Sequence, residues 1–180
     1  MSQMSQVKRA MITAVCIALC VVLPMAFHSI QNAGAIFCPM HIPVLLCGLL
    51  VGWPYGLLCG LAGPLLSSLL TGMPAMGYLP CMMVELGAYG LLCGLFMKFV
   101  RTGKIYADLS LVGGLLIGRV IAGLFRALIF SPGSYSLAAW ATGYFVTCLP
   151  GLVIQLVLVP SIVFALMKAR LVPMRYPAKH

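Results

Sequence analysis

Three ionisable side chains lie inside long apolar stretches of this chain. Glu85 lies in the stretch from Pro80 to Phe99, and both Arg119 and Arg126 lie in the next one, from Ile105 to Phe130. An ionisable group in an apolar interior is costly unless it is paired or used for function. These three side chains are therefore the first candidates for contacts with a ligand.

Glu85 and Arg126 are predicted to lie at similar depth, so they either form an ion pair that fixes two helices or contact a ligand. Arg119 is seven residues from Arg126, on nearly the same helix face, and has no acid at its depth. Its guanidinium either bonds helix carbonyls, Gln155 or tyrosines, or binds an anion, which its planar fork suits.

Further polar and aromatic residues are predicted near the same ends of the apolar runs. For His41 a hydrogen-bonded structural role and a ligand contact both stay open. The aromatic residues either stack on a ring of the ligand or form an interfacial belt. The candidates that these residues add to the site are Asn32, His41, Tyr89, Trp140 and Tyr144.

The composition indicates that the elements positioning these residues lie in lipid. Of the 180 residues, 63% are hydrophobic and 7% are charged, and the mean hydropathy is +1.12. Soluble domains have about 45–50% apolar and about 25% charged residues. A soluble enzyme, a disordered segment and a nucleic-acid module are therefore excluded. The net charge of +9 instead favours basic loops beside an anionic leaflet.

The apolar runs predict an all-α membrane protein with a single domain over residues 1–180. The run from Ile36 to Leu70 is either one long helix or two short antiparallel helices that turn at Trp53-Pro54. With two helices, all cations outside the spans lie on one side, as the positive-inside rule requires. We therefore predict six transmembrane helices with both termini cytoplasmic, at residues 8–27, 36–52, 54–72, 80–100, 105–130 and 137–168.

The N-terminus, the cysteines and the missing motifs narrow the possible functions further. Lys8-Arg9, an apolar stretch and Ala33-Gly34-Ala35 resemble a signal peptide, but the stretch exceeds the usual h-region of about 7–15 residues. The eight cysteines form no C-x-x-C pair and are interpreted as packing residues, so we predict no metal site and no cofactor. The absence of a Walker A pattern and the two acids indicate a chain without its own energy source.

Small residues recur every four positions, which places them on one helix face and lets helix backbones approach closely in lipid. For the glycine rows we expect packing within this chain. For the alanine row in the first span, packing within the chain and docking of a partner both stay open. The rows are Gly48, Gly52, Gly56 and Gly60; Gly87, Gly90 and Gly94; Gly114 and Gly118; and Ala10, Ala14 and Ala18.

The stretch from Phe37 to Gly60, FCPMHIPVLLCGLLVGWPYGLLCG, together with Gly118-Arg119 and Leu149-Pro150-Gly151, resembles the substrate-binding S components of energy-coupling factor (ECF) transporters. The resemblance implies a high-affinity binding subunit of a bacterial vitamin importer in the cell membrane. The ligand would lie beneath a lid made by the loop after the first span. Ala10, Ala14 and Ala18 would dock on a transmembrane T component, and two separate cytoplasmic ATPases would supply the energy. The chain itself would not be an enzyme.

The sequence does not name the ligand. The two arginines favour a carboxylate such as pantothenate, while riboflavin, pyridoxine, a folate, lipoate, cobalamin and a queuosine precursor stay open. The alternative is a stand-alone channel or facilitator for a small solute. A small membrane enzyme is disfavoured by the shortage of acids.

Overall fold

The computed structural model describes residues 4–26, 33–99, 104–130 and 136–172, and within them the chain is helical apart from short connections. Two π-helical segments, Arg126–Phe130 and Thr142–Thr147, follow the sixth and seventh α-helices. The α-helices are α1 (Gln6–Ala26), α2 (Ala33–Phe37), α3 (His41–Val51), α4 (Trp53–Thr71), α5 (Leu79–Phe99), α6 (Lys104–Phe125), α7 (Leu137–Ala141) and α8 (Leu149–Lys168).

Five helices of the described chain are long and apolar enough to cross a membrane, namely α1, α4, α5, α6 with its π-helical segment, and α8. The prediction of an all-α, multi-pass membrane protein is confirmed. The remaining apolar helix, α3, has 11 residues. At 1.5 Å per residue it is about 17 Å long, roughly half of the ~30 Å hydrocarbon core. It is surrounded by α1, α4, α5 and α8 and is buried almost throughout.

The chain reverses direction between α3 and α4, as predicted, so the alternative of one long helix is wrong. Gly52 separates the two helices with φ +116°, a backbone conformation that L side chains rarely adopt. Its N–H donates to the carbonyl of Gly48 at 3.1 Å, and Pro54 lies in the first turn of α4, where a missing N–H costs nothing. As a result α1, α4 and α6 run one way, and α3, α5 and α8 run the other.

This alternation brings the described cations outside the helix interiors to a single end of the bundle, which we call the basic end. They are Lys8, Arg9, Lys98, Lys104, Lys168 and Arg170. Arg101, Arg175 and Lys179 lie outside the described residues. The predicted grouping of positive charge therefore holds for the part of the chain that is described. The cytoplasmic location of that end stays a prediction.

Two predicted spans differ from the helices that form. The span predicted at 36–52 is broken between α2 and α3, because Cys38 has φ +47° and Pro39 has no backbone N–H to continue the helix. The span predicted at 137–168 comprises α7, a π-helical segment and α8, with the break at Cys148. Pro150 opens α8, whereas Pro160 lies inside α8 without ending it.

The glycine rows pack within the bundle, as predicted: Gly114 and Gly118 of α6 lie against α5, and the other rows lie where α5 crosses α3 and α4. A Cβ built on Gly48 would lie 2.6 Å from the carbonyl oxygen of Gly90, and one built on Gly56 or Gly90 would collide with the other helix's backbone. A Cβ on Gly60 or Gly94 would also meet backbone. Because backbone cannot move aside as a side chain does, only glycine fits these crossings. Gly52 is the exception in its row, because it forms the turn.

We expect Gly56→Ala to destabilise the bundle by about 1–3 kcal/mol, since the new methyl group would overpack the α4–α5 crossing. Gly113→Ala is the matched control. There the added Cβ would lie 3.5 Å from the Phe96 ring, an ordinary contact, and alanine favours the helix. Thermal unfolding of both variants in detergent measures the difference, and equal stability would contradict this account of the packing.

Candidate functional site

A cavity of about 560 Å³ opens at the end of the bundle opposite the basic end, where α1 ends and α3 begins. Pockets for small molecules usually have ~300–1,000 Å³. Its walls come from the ends of α1 and α6, from α2 and the connection to α3, from the residues between α4 and α5, from the starts of α3 and α5, and from the segment from α7 to α8. The residues lining it are Pro24, Gly34, Cys38, Pro39, Met40, His41, Met73, Pro74, Tyr78, Met82, Glu85, Arg126, Ala139, Gly143, Tyr144, Thr147 and Cys148.

The floor of the cavity is built around the carboxylate of Glu85, a buried residue that is 6% exposed. His41 Nε2 lies 3.3 Å from Oε1, and the Tyr89 hydroxyl donates to the same oxygen at 3.0 Å. The Tyr144 hydroxyl donates to Oε2 at 3.2 Å. Three elements therefore converge here: α3 supplies His41, α5 supplies Glu85 and Tyr89 one turn apart, and the second π-helical segment supplies Tyr144.

His41 has one ring nitrogen that the described residues leave without a hydrogen-bond partner. A carboxylate only accepts, so we assign the imidazole proton to Nε2, which faces Glu85. Nδ1 is then an acceptor, and it is buried with no partner in the described chain. A buried polar atom without a partner costs about 1–3 kcal/mol. The floor thus carries an unused acceptor beside its carboxylate.

Arg126 lies on the wall of the cavity beside Tyr78. Its Nη1 donates to the Tyr78 hydroxyl at 3.4 Å, and its Cζ lies 5.2 Å from the centre of that ring. Burial raises the pKa of the Tyr78 phenol above its ordinary value, and the Glu85 charge raises it further, so the hydroxyl is neutral at physiological pH. Glu85 and Arg126 line the same cavity, and the ion pair predicted between them stays a prediction.

Arg119 lies behind the cavity wall and is 1% exposed. Its Cζ lies 5.5 Å from the Phe145 ring centre, and its backbone carbonyl accepts from Trp140 Nε1 at 3.2 Å. Its Nε and Nη1 have no partner within the described structure. The guanidinium is within electrostatic range of Glu85. Arg119 thus places positive charge near the floor without belonging to the described residues that line the cavity.

Comparison with known families gives a match over residues 8–171 to the family described as ECF transporter, substrate-specific component. The chain belongs to this family. Comparisons with curated proteins and with solved structures give no match. This substrate-specific component is therefore a substrate-binding subunit of an ECF transporter rather than an enzyme, and members of its family work with T and ATPase subunits.

The geometry of the substrate-specific component brings together part of the predicted site. His41, Glu85, Arg126 and Tyr144 line the cavity, and Tyr89 supports its floor. Arg119 and Trp140 contact each other behind the wall. Asn32, with the rest of residues 28–32 in the loop assigned as a lid, lies outside the described residues.

Several lining residues were not among the predicted site residues, above all the sulfur-bearing ones. These are Cys38, Met40, Met73, Met82 and Cys148. Tyr78 also lines the cavity and is likewise absent from the predicted site residues. The contact between His41 and Glu85 joins positions 44 residues apart, so no local spacing could indicate it.

The alanine row of the substrate-specific component is not covered by the described part of the chain. Ala10, Ala14 and Ala18 are exposed, whereas the opposite face of α1 is buried through Thr13, Cys16 and Cys20. Ala14 and Ala18 form the base of a shallow apolar groove, whose sides come from α1 and α4. The other residues of the groove are Ile17, Val21, Val22, Leu66 and Leu70.

Proposed function

We propose that this protein captures a small carboxylate-bearing molecule of the vitamin type in the 560 Å³ cavity for import by an ECF transporter. The observation that supports it most is the site's composition: mostly apolar walls with a few convergent polar groups. Such a pocket fixes the orientation of a ligand while burying most of its surface. Arg126 on the wall offers a guanidinium for a carboxylate. Pantothenate, the carboxylate that the sequence suggests, and the other vitamins named above are the candidates to be tested.

The orientation we propose follows from charge. Cations next to transmembrane helices favour the cytoplasmic side, so the basic end and both termini would be cytoplasmic in the bacterial cell membrane. The cavity, at the opposite end, would then open to the outside and receive its ligand there. This is the direction that an importer requires.

The partner surface we propose is the exposed alanine row of α1. Small residues at four-residue spacing let a second helix approach closely, which is the main source of helix association in lipid. The T component would dock there, and two ATPases would drive the cycle. We disfavour a stand-alone facilitator because α3, which lies beneath the cavity, is packed on all sides within the described chain. Flux through liposomes that contain this chain alone would reverse that preference.

The direct test of the proposed function is to purify the protein from its host, denature it and identify the released compound by mass spectrometry. A stoichiometric small molecule with a carboxylate supports the proposal. Purification of the folded protein without any bound compound, combined with a failure to bind the vitamins named above, would contradict it.

We expect Arg126→Gln to weaken binding of that carboxylate at least tenfold, which corresponds to about 1.4 kcal/mol. Gln keeps hydrogen-bonding capacity but loses the charge. Lys98→Gln, the same loss of charge on an exposed residue at the basic end, serves as control and should leave the Kd unchanged. Isothermal titration with the acid and with its uncharged amide separates the effects. An equal Kd for the acid in both variants would show that Arg126 does not contact the ligand.

A further inference from the structure

We propose that the ligand is a flat nitrogen heterocycle that points N–H donors at the floor and an acidic group at Arg126. This inference rests on the proposed function, because it takes the cavity as the substrate site. It narrows the ligand from any small carboxylate to one chemical class. Three independent properties of the cavity lead to it: the acceptors of the floor, the side chains of the walls and the charge of Arg126.

Among the described residues, the side chains that meet at the Glu85 carboxylate leave acceptors unused and no donor to spare. The Glu85 carboxylate has about four lone-pair positions. His41 and Tyr89 occupy two on Oε1, and Tyr144 occupies one on Oε2. One position on Oε2 remains, and His41 Nδ1 adds a second acceptor that has no partner in the described chain. The donors that face this carboxylate are already engaged by it. A ligand must therefore supply the donors.

The charge around the floor favours a neutral donor over a cation. The negative charge of Glu85 is opposed by Arg119, which lies within electrostatic range of it behind the wall. A fixed ammonium group on the ligand would therefore be attracted by the carboxylate and repelled by the guanidinium behind the wall. N–H groups of a neutral ring make the same hydrogen bonds without that repulsion.

The walls favour a flat ring. Three methionine and two cysteine sulfurs line the cavity, together with Tyr78, Tyr144 and three prolines. Thioethers are polarisable and make favourable contacts with aromatic rings, and tyrosines stack on such rings. An aliphatic ligand would gain apolar contact from these walls but not the ring contacts. A nitrogen heterocycle has both properties that this site favours: N–H donors at its edge and aromatic faces that contact sulfur and tyrosine.

The two ends of the site impose an orientation. The floor accepts hydrogen bonds, and Arg126 on the wall donates them with a positive charge. A heterocycle with N–H groups at one edge and an acidic substituent at another satisfies both. A cavity of about 560 Å³ has room for a ring system of one or two rings with such a substituent.

The test uses carboxylate derivatives of pyridine, pyrimidine, purine and pteridine that carry N–H donors, each paired with its N-methylated analogue. Pantothenate, a carboxylate without a ring, is the third type of probe. The purified full chain is titrated with each probe by calorimetry. We expect at least one heterocycle to bind, its N-methylated analogue to bind at least tenfold more weakly, and pantothenate to bind more weakly than the heterocycle.

A variant then tests whether the floor causes the preference for the N–H probe over its methylated analogue. His41→Phe removes the Nδ1 acceptor, so the difference between the N–H probe and its methylated analogue should shrink. Tyr55→Phe is the control, because its hydroxyl bonds Gln6 at the basic end, far from the cavity. If His41→Phe does not fold, the comparison of the two probes on the unmodified protein still decides the inference.

The outcomes separate this inference from the proposed function. Tight binding of pantothenate that Arg126→Gln weakens, or a heterocycle whose affinity is unaffected by N-methylation, overturns the inference and leaves the proposed function standing. If every heterocycle fails to bind while another carboxylate is recovered from the purified protein, the inference is again overturned and the proposed function stands. If no probe binds and no compound is recovered, both proposals fail.

Discussion

Replacing Glu85 with leucine is expected to reduce ligand affinity at least a hundredfold, which corresponds to about 2.7 kcal/mol. The carboxylate accepts hydrogen bonds from His41, Tyr89 and Tyr144, so its loss leaves all three donors without their acceptor. Each buried group left without a partner costs about 1–3 kcal/mol. The floor would rearrange, and the melting temperature should fall together with the affinity.

The control for this substitution is Gln6→Leu, which also removes an acceptor from a tyrosine, here Tyr55 at the exposed basic end. It should change neither the affinity nor the melting temperature appreciably, because water can replace the lost contact. Calorimetric titration and thermal unfolding of both variants give the comparison. A folded Glu85→Leu protein with unchanged affinity would place the substrate site elsewhere in the bundle.

Ala14→Trp is expected to abolish uptake by the complete transporter and leave the affinity for ligand unchanged. Ala14 is exposed on α1 at the base of the groove beside α4, so an indole there would fill the groove. It would hold a partner helix away from the small-residue face on which close packing depends. The cavity lies at the end of α1, where Pro24 lines it, about 15 Å along the helix from Ala14.

Leu116→Trp on α6 is the matched control, because it adds a similar bulk to an exposed lipid-facing position away from α1. Uptake of labelled ligand into cells that also express the T component and ATPases is compared for the two variants. Wild-type uptake by Ala14→Trp would show that the partner docks on another face. A loss of uptake in both variants would indicate that this assay responds to bulk alone.

The sequence predicts the architecture well because its signals are local, as in the glycine spacing, or follow from counting the cations on each side of the membrane. The reversal at Gly52 follows from the positions of the cations, and the helix crossings follow from glycines four residues apart. The break at Cys38 and Pro39 is harder to predict, since the apolar run continues through it. A left-handed residue at a cysteine is set by the packing of α2 against α8, which has no local signal.

The site is predicted only in part, for a related reason. Arg119 and Arg126 are seven residues apart and share a face by periodicity, yet only Arg126 lines the cavity. The helix widens into a π-helical segment at Arg126. Neither the widened turn nor the position of the floor can be calculated from the spacing of residues in one helix.

The size of the cavity is connected to the length of α3. This helix begins at His41, deep in the bundle, and its 11 residues fill only the half nearer the basic end. The space above its first turn is the chamber. The volume of the cavity in such a bundle therefore depends on where one central helix starts. An added turn at its beginning would make the cavity shallower, and a missing turn would deepen it by about 5 Å. The depth of the chamber can therefore change without any change in the outer helices that span the membrane.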